Sequence, residues 1–132
     1  MDRVFLEANV LFSAAYDPES RLVELWALDD TERVTSAYAA AEAYRNLAEK
    51  RPARLPDLAA LLARCLLATE ETRPIPEVDL PVNDAPILPS AIASRCSHLL
   101  TGDKHFRQLF GRTVEGTLIL RPGDYLRLRQ GE

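Results

Sequence analysis

The chain has 132 residues, 47% of them hydrophobic, which allows one domain with a real core over residues 1–132, excludes two comfortable ones and argues against disorder. Its longest apolar-rich stretch, LAALLARCLLA at 58–68, holds an arginine and is far too short to span a bilayer, and Asp2 and Glu7 interrupt any secretory signal pattern, so a cytoplasmic protein is expected. The formal charge of -4 does not suit a nonspecific nucleic-acid binder, and it is unevenly spread: residues 1–94 carry 9 basic and 16 acidic side chains, residues 95–132 carry 7 and 4.

In chain order, VFL (4–6) reads as a first strand and NVLFSAAY (9–16) as a helix ended near Asp17-Pro18. SRLVELWAL (20–28) has helical spacing, with Leu22, Leu25 and Trp26 on one face. RVTS (33–36) is a second strand, leading into an alanine-rich helix, SAYAAAEAYRNLAEK, that stops at Arg51-Pro52. A helix is expected over 55–70, where Leu58, Leu61, Leu62, Cys65 and Leu66 form a stripe. TRPIPEV (72–78) reads as a third strand, placed at an edge by its prolines. A helix over 84–96 follows, with Pro86 in its first turn, then a fourth strand SHLLT (97–101), a short helix DKHFRQLF, a fifth strand TLIL (117–120) and a closing segment PGDYLRLRQ. Short apolar runs alternating with amphipathic ones predict an α/β domain in three layers, α/β/α, with five parallel strands at its centre. Cys65 and Cys96 lack any metal or disulfide spacing and read as buried free thiols.

The carboxylates fall at particular places on this scheme. Glu7 directly follows strand one, Asp103 follows strand four in LLTGD, Asp84 opens the helix before strand four, and Glu42 lies about two turns into the helix after strand two. Helical side chains lean toward their own N-terminus, so Glu42 points back toward its strand. Parallel strands end on one edge, where ligands bind, and four acids are therefore expected around one crevice. Like charges held that closely raise one another's pKa unless a cation neutralises them. Oxygen-only ligands favour a hard ion, Mg2+ or Mn2+, suited to phosphodiester hydrolysis. Taken singly, Asp84 and Asp103 also read as helix N-caps, Glu42 as a partner of Arg45 at i+3, and Asn9 as a turn or cap residue. Glu7 resists that treatment, because an acid after a buried strand needs a partner.

LEANVL at 6–11, Glu42 within TSAYAAAEAYRNL, Asp84 within NDAPILPSAIA and LLTGDKHF at 99–106 together resemble the PIN domain family, in particular its small bacterial VapC-like, toxin-type members. The resemblance covers essentially the whole chain. It implies a PIN-like three-layer fold around a five-stranded parallel sheet, a magnesium- or manganese-dependent ribonuclease, frequent homodimers and, for a toxin, an antitoxin that inserts a segment into the groove. Carried across, it makes Glu7, Glu42, Asp84 and Asp103 the catalytic, metal-holding quartet, with Asn9 and Thr101 as polar supports. It implies attack of water on an RNA phosphodiester to leave a 5'-phosphate and a 3'-hydroxyl. Two departures stand out. Glu7 occupies the position of a family Asp, moving the carboxylate outward by about 1.5 Å, and His105 stands where many relatives carry another acid.

Arg45, Lys104 and Arg107 lie near the expected crevice and are candidates for phosphate contact. Tyr16, Tyr38 and Tyr44 could stack on unpaired bases, although ordinary packing explains each as well. The Leu58–Leu66 stripe reads as sheet-facing, with a dimer face as its alternative. A PIN scaffold that binds RNA or a protein partner without cleavage is the alternative function, supported by Glu7. A haloacid-dehalogenase-type phosphatase or a receiver domain is disfavoured, because LEANV offers no aspartyl acceptor after strand one.

Overall fold

The computed structural model of the chain describes residues 1–76, 78 and 86–131. Strand β1 (Asp2–Leu6) buries Val4, Phe5 and Leu6 in succession, so both faces of the sheet are covered at this strand. It is flanked in parallel by β2 (Thr31–Thr35) and β4 (His98–Leu100). β3 (Leu66–Leu67) pairs in parallel outside β2, β6 (Thr117–Leu120) pairs in parallel outside β4, and β5 (Thr113–Val114) closes the far edge antiparallel to β6. The sheet order is β3-β2-β1-β4-β6-β5. It therefore has six strands where five were expected: five are parallel, and the sixth arises from a tight turn at Glu115 and Gly116, both with positive φ.

The third strand is not where the sequence placed it. Residues 72–76 carry no regular structure, and Leu66–Leu67 take the edge instead, with the Ala68 amide extending the pairing to Thr35 O at 2.8 Å. Pro74 and Pro76 have no amide hydrogen to give a ladder. The helix expected over 55–70 accordingly stops early, as α3 (Leu55–Leu62). Its last turn tightens through Arg64 N to Leu61 O and Cys65 N to Leu62 O, while the Trp26 indole also donates to Leu61 O at 3.1 Å. Of the predicted stripe only Leu58 is buried; Leu61, Leu62 and Cys65 are half-buried and Leu66 is exposed. Cys65 thus corrects the expectation of two buried thiols, and Cys96 meets it.

The remaining helices are α1 (Ala8–Tyr16), α2 (Ala37–Lys50), α4 (Ile87–Ala93) and α5 (Pro122–Gln130). Ser36 starts α2 by accepting from Ala39 N at 3.0 Å, and Pro52 stops it. Pro89 fits inside α4 because it falls in the first turn, where an amide hydrogen is not needed. The segments expected as helices at 20–28 and 103–110 are 3-10 turns, Arg21–Trp26 and Lys104–Leu109, and the closing segment is α5. α1 packs against α2 and α3, α4 against β4, and α5 against the turn Arg21–Trp26. Among the described residues no helix is long and apolar enough to cross a membrane.

This order places the site. The chain builds outward from β1 through β2 to β3, then crosses back to lay β4 on the other side of β1. The reversal between β1 and β4 opens a crevice at their carboxyl ends. The first residues past the parallel strands stand in one row across that edge: Ser36 after β2, Glu7 after β1, Thr101 after β4 and Arg121 after β6. Glu7 N to Leu100 O (3.2 Å) and Thr101 N to Leu120 O (3.1 Å) continue the ladder into the row.

Candidate active site

Glu7 is the residue between β1 and α1, in extended conformation, and its carbonyl accepts the first helical bonds from Val10 N (3.0 Å) and Leu11 N (3.2 Å). Its side chain caps nothing. It turns instead into the gap toward β4, where only 3% of the residue remains exposed. Thr101 Oγ1 donates to Glu7 Oε2 at 3.2 Å, and Asn9 Nδ2 donates to the same oxygen. This is the partner set that an acid after a buried strand requires.

Asn9 and Thr101 do more than hold Glu7. Asn9 Nδ2 also reaches Thr101 Oγ1 at 3.4 Å, and Asn9 Oδ1 accepts from the Gly102 amide at 2.9 Å, tying the loop after β4 to the first turn of α1. Thr101, fully buried, accepts the Asp103 amide at 3.0 Å. The loop 101–103 is therefore fixed from both sides.

Asp103 fills two roles at once. Its Oδ1 accepts from His105 N at 2.9 Å, the cap of the turn Lys104–Leu109, and His105 Nδ1 approaches the same oxygen at 2.9 Å. The cap reading is thus correct without displacing the functional one, since the side chain still lies in the electrostatic field of Glu7. His105, which stands where many relatives carry another acid, is a partner of Asp103.

Burial pushes the Glu7 carboxyl up to about 7, and the negative charges of Asp103 and then Glu42 push in the same direction; the Thr101 hydroxyl and the Asn9 backbone amide oppose them. Of the predicted quartet, the charges of Asp103 and Glu42 thus reach Glu7, and both predicted supports, Asn9 and Thr101, hydrogen-bond to it. Asp84 lies outside the described residues. Among the described residues no group of three His, Cys, Asp or Glu is gathered tightly enough to hold a metal ion. Oxygen donors alone, one buried and two half-buried, fit a hard divalent cation in chemistry.

Arg45 on α2, and Lys104 and Arg107 on the turn after Asp103, are all exposed to solvent. Tyr44 is exposed, Tyr38 is half-buried, and Tyr16 lies at the far end of α1 beneath Arg51. Sequence reading passed over Arg121, although it ends the apolar run TLIL as Glu7 ends VFL; the rule that placed Glu7 on the edge applies to it equally.

A family model described as PIN domain matches residues 3–105. Among solved structures, the chain is similar to one in the crystal structure of VapBC2 from Rickettsia felis bound to a DNA fragment from their promoter: 15% identity, TM-score 0.64, covering 90% of this chain and 98% of that one. It is also similar to VapC20 of Mycobacterium tuberculosis, described as a sarcin-ricin loop cleaving toxin, at 15% identity and TM-score 0.58, covering 80% of this chain and 93% of that one. No curated protein matches.

Proposed function

The chain belongs to the PIN domain family, and on that premise we propose that it is a metal-dependent endoribonuclease whose site is the crevice between β1 and β4. The observation that carries the reading is the buried Glu7 carboxylate, held by Thr101 and Asn9 at the point where the strand order reverses and repelled by Asp103 and Glu42. A protein gains nothing in stability by burying an acid among acids, so the arrangement calls for a cation. Glu7, Asp103, Glu42 and Asp84 would hold Mg2+ or Mn2+, which when bound would supply a Lewis acid for the phosphodiester and its attacking water.

The chain's own groups set the geometry. Thr101 and Asn9 fix the Glu7 carboxylate, and the same two side chains pin Gly102 and Asp103 through their amides, so the acids from β1 and β4 are held in one relative position. His105 holds Asp103. Lys104, Arg107 and Arg45 present cations around the acids, where an RNA backbone would pass.

The similar solved structures belong to a VapBC pair and to a toxin that cuts the sarcin-ricin loop. On that likeness, the chain acts as the toxin of a toxin-antitoxin pair in the cytoplasm, with single-stranded or structured RNA as substrate, an antitoxin as protein partner and a homodimer as its working state. The second reading, a PIN scaffold that binds without cutting, is favoured by one feature: both donors to Glu7 meet its longer side chain, where the family pattern has Asp.

The test is manganese titration by calorimetry together with cleavage of a single-stranded RNA, on the natural chain, Glu7→Asp and Glu7→Gln. Metal binding and cleavage by the natural chain, both lost in Glu7→Gln, are expected. Cleavage by Glu7→Asp alone gives the scaffold reading, and absence of metal binding in all three overturns the nuclease.

A further inference from the structure

We propose that Arg121, seated on the ring of Phe110, is a phosphate-binding position of the same crevice, holding the RNA backbone on the β6 side of the acids. This rests on the nuclease reading and adds a substrate contact to it.

Arg121 is the β6 member of the row that contains Glu7 and Thr101. Adjacent strands are about 4.8 Å apart, so its backbone stands about 10 Å from that of Glu7, with Thr101 between them. Its guanidinium carbon lies 4.2 Å from the centre of the Phe110 ring. The ring is brought there by the chain itself: Gly111, at φ 84, turns the backbone so that its amide donates to Ile119 O at 2.8 Å, leaving Phe110 level with the end of β6. An arginine stacked in this way keeps its plane fixed and its N–H edge available, the arrangement that suits bidentate binding of a phosphate.

Six other arginines show what a structural role looks like in this molecule. Arg3, Arg33, Arg51, Arg54, Arg64 and Arg129 each spend donors on backbone carbonyls. Among the described residues the Arg121 guanidinium makes no hydrogen bond; its one ionic neighbour is Asp124, whose Oδ2 lies 3.9 Å away, beyond hydrogen-bond reach, while Arg127 holds the other oxygen, Oδ1. With its side chain 56% exposed, Arg121 is neither buried nor claimed. A fixed cation with free donors, one strand beyond Thr101, is matched to an anion that runs across the carboxyl edge. Lys104 and Arg107, on the turn between Asp103 and Phe110, extend the positive charge along that path.

The experiment measures binding of a labelled single-stranded RNA by anisotropy over a range of salt in EDTA, with cleavage in manganese measured alongside. The natural chain, Arg121→Ala, Arg121→Lys and Phe110→Leu are compared. Arg121→Ala is expected to weaken RNA binding about 10-fold and to reduce the salt slope by about 0.7, the loss of one phosphate contact on a single strand. Manganese affinity and melting temperature stay unchanged. Arg121→Lys restores the slope with part of the affinity, and Phe110→Leu loses affinity with the slope retained. If Arg121→Ala binds RNA like the natural chain while that chain cleaves, the Arg121 site is overturned and the nuclease stands. Should the alanine variant lose stability, a lysine variant that does not restore the slope also overturns it. A natural chain that neither binds nor cuts RNA removes the nuclease reading and this site with it.

Discussion

Thr101 donates its hydroxyl hydrogen to Glu7 across the gap between β4 and β1 while accepting the amide of Asp103, so one fully buried side chain serves acids from both strands. Thr101→Val keeps the shape but leaves the Glu7 carboxylate short of a donor and the Asp103 amide without its acceptor. Burying unmet polar groups costs about 1–3 kcal/mol. Urea unfolding is expected to show a loss in that range, and Thr101→Ser, which keeps the hydroxyl, is expected to recover most of it.

Glu7 couples stability to pH. Its carboxyl titrates near 7 in the fold against 4.5 when free, so between those values the folded chain holds a proton that the unfolded chain has released. The favourable contribution is complete below about pH 4.5 and is lost as pH rises through 7, a fall of roughly 3 kcal/mol for the metal-free protein. Glu7→Gln removes the titration, and its stability is expected to stay flat over that window and to exceed that of the natural chain at pH 8. Added manganese is expected to stabilise the natural chain at pH 8 and not the glutamine variant. Thermal melts in EDTA and in manganese at pH 5 and pH 8 measure both effects.

The row past the strands was legible because a parallel strand buried on both faces leaves few ways to explain a polar residue at its end. VFL followed by Glu7 and LLT followed by Gly102 and Asp103 gave the edge, and the reversal of strand order put both acids at the crevice between β1 and β4. Asp103 shows why single-residue readings compete poorly: it caps a turn and stands in the site at the same time. The third strand was illegible for a different reason. Leu66 and Leu67 continue a helical spacing of leucines, and only the open edge of β2, which no local pattern announces, draws them into a strand. Arg121 was missed because an exposed arginine after a strand looks the same in sequence whether or not an aromatic ring lies beneath it.

The leucines of 58–67 separate core from edge experimentally. Leu58 is 1% exposed on α3, whereas Leu67 is 73% exposed on β3. Leu58→Ala is expected to cost about 2–5 kcal/mol, the range for a leucine cut from a packed core. Leu67→Ala is expected to cost under about 0.5 kcal/mol in the monomer, as surface changes do. Urea denaturation of both variants at low protein concentration checks the contrast. A concentration-dependent loss confined to Leu67→Ala shows instead that a second copy covers this edge.

Far from the acids, Tyr125 of α5 locks the helix to the opposite edge of the sheet. Its hydroxyl donates to Asp2 Oδ2 at 2.6 Å and accepts from Arg129 Nη1 at 2.8 Å, and its ring meets His98 edge-on with centroids 4.9 Å apart. Burial, followed by the hydrogen bond to Asp2, pushes the phenol up to about 12 from 10. The folded chain therefore keeps a proton that the unfolded chain gives up above pH 10, and stability falls from there by about 1.4 kcal/mol per pH unit until the folded phenol ionises. Tyr125→Phe loses the two hydrogen bonds, at a cost of about 1–3 kcal/mol at neutral pH, but has no phenol to titrate. The gap between the two proteins is expected to be widest at pH 8 and to close by about 1 kcal/mol between pH 10 and pH 11. Urea unfolding at those three pH values measures it, and a gap that stays constant shows that the Tyr125 proton plays no part in holding α5.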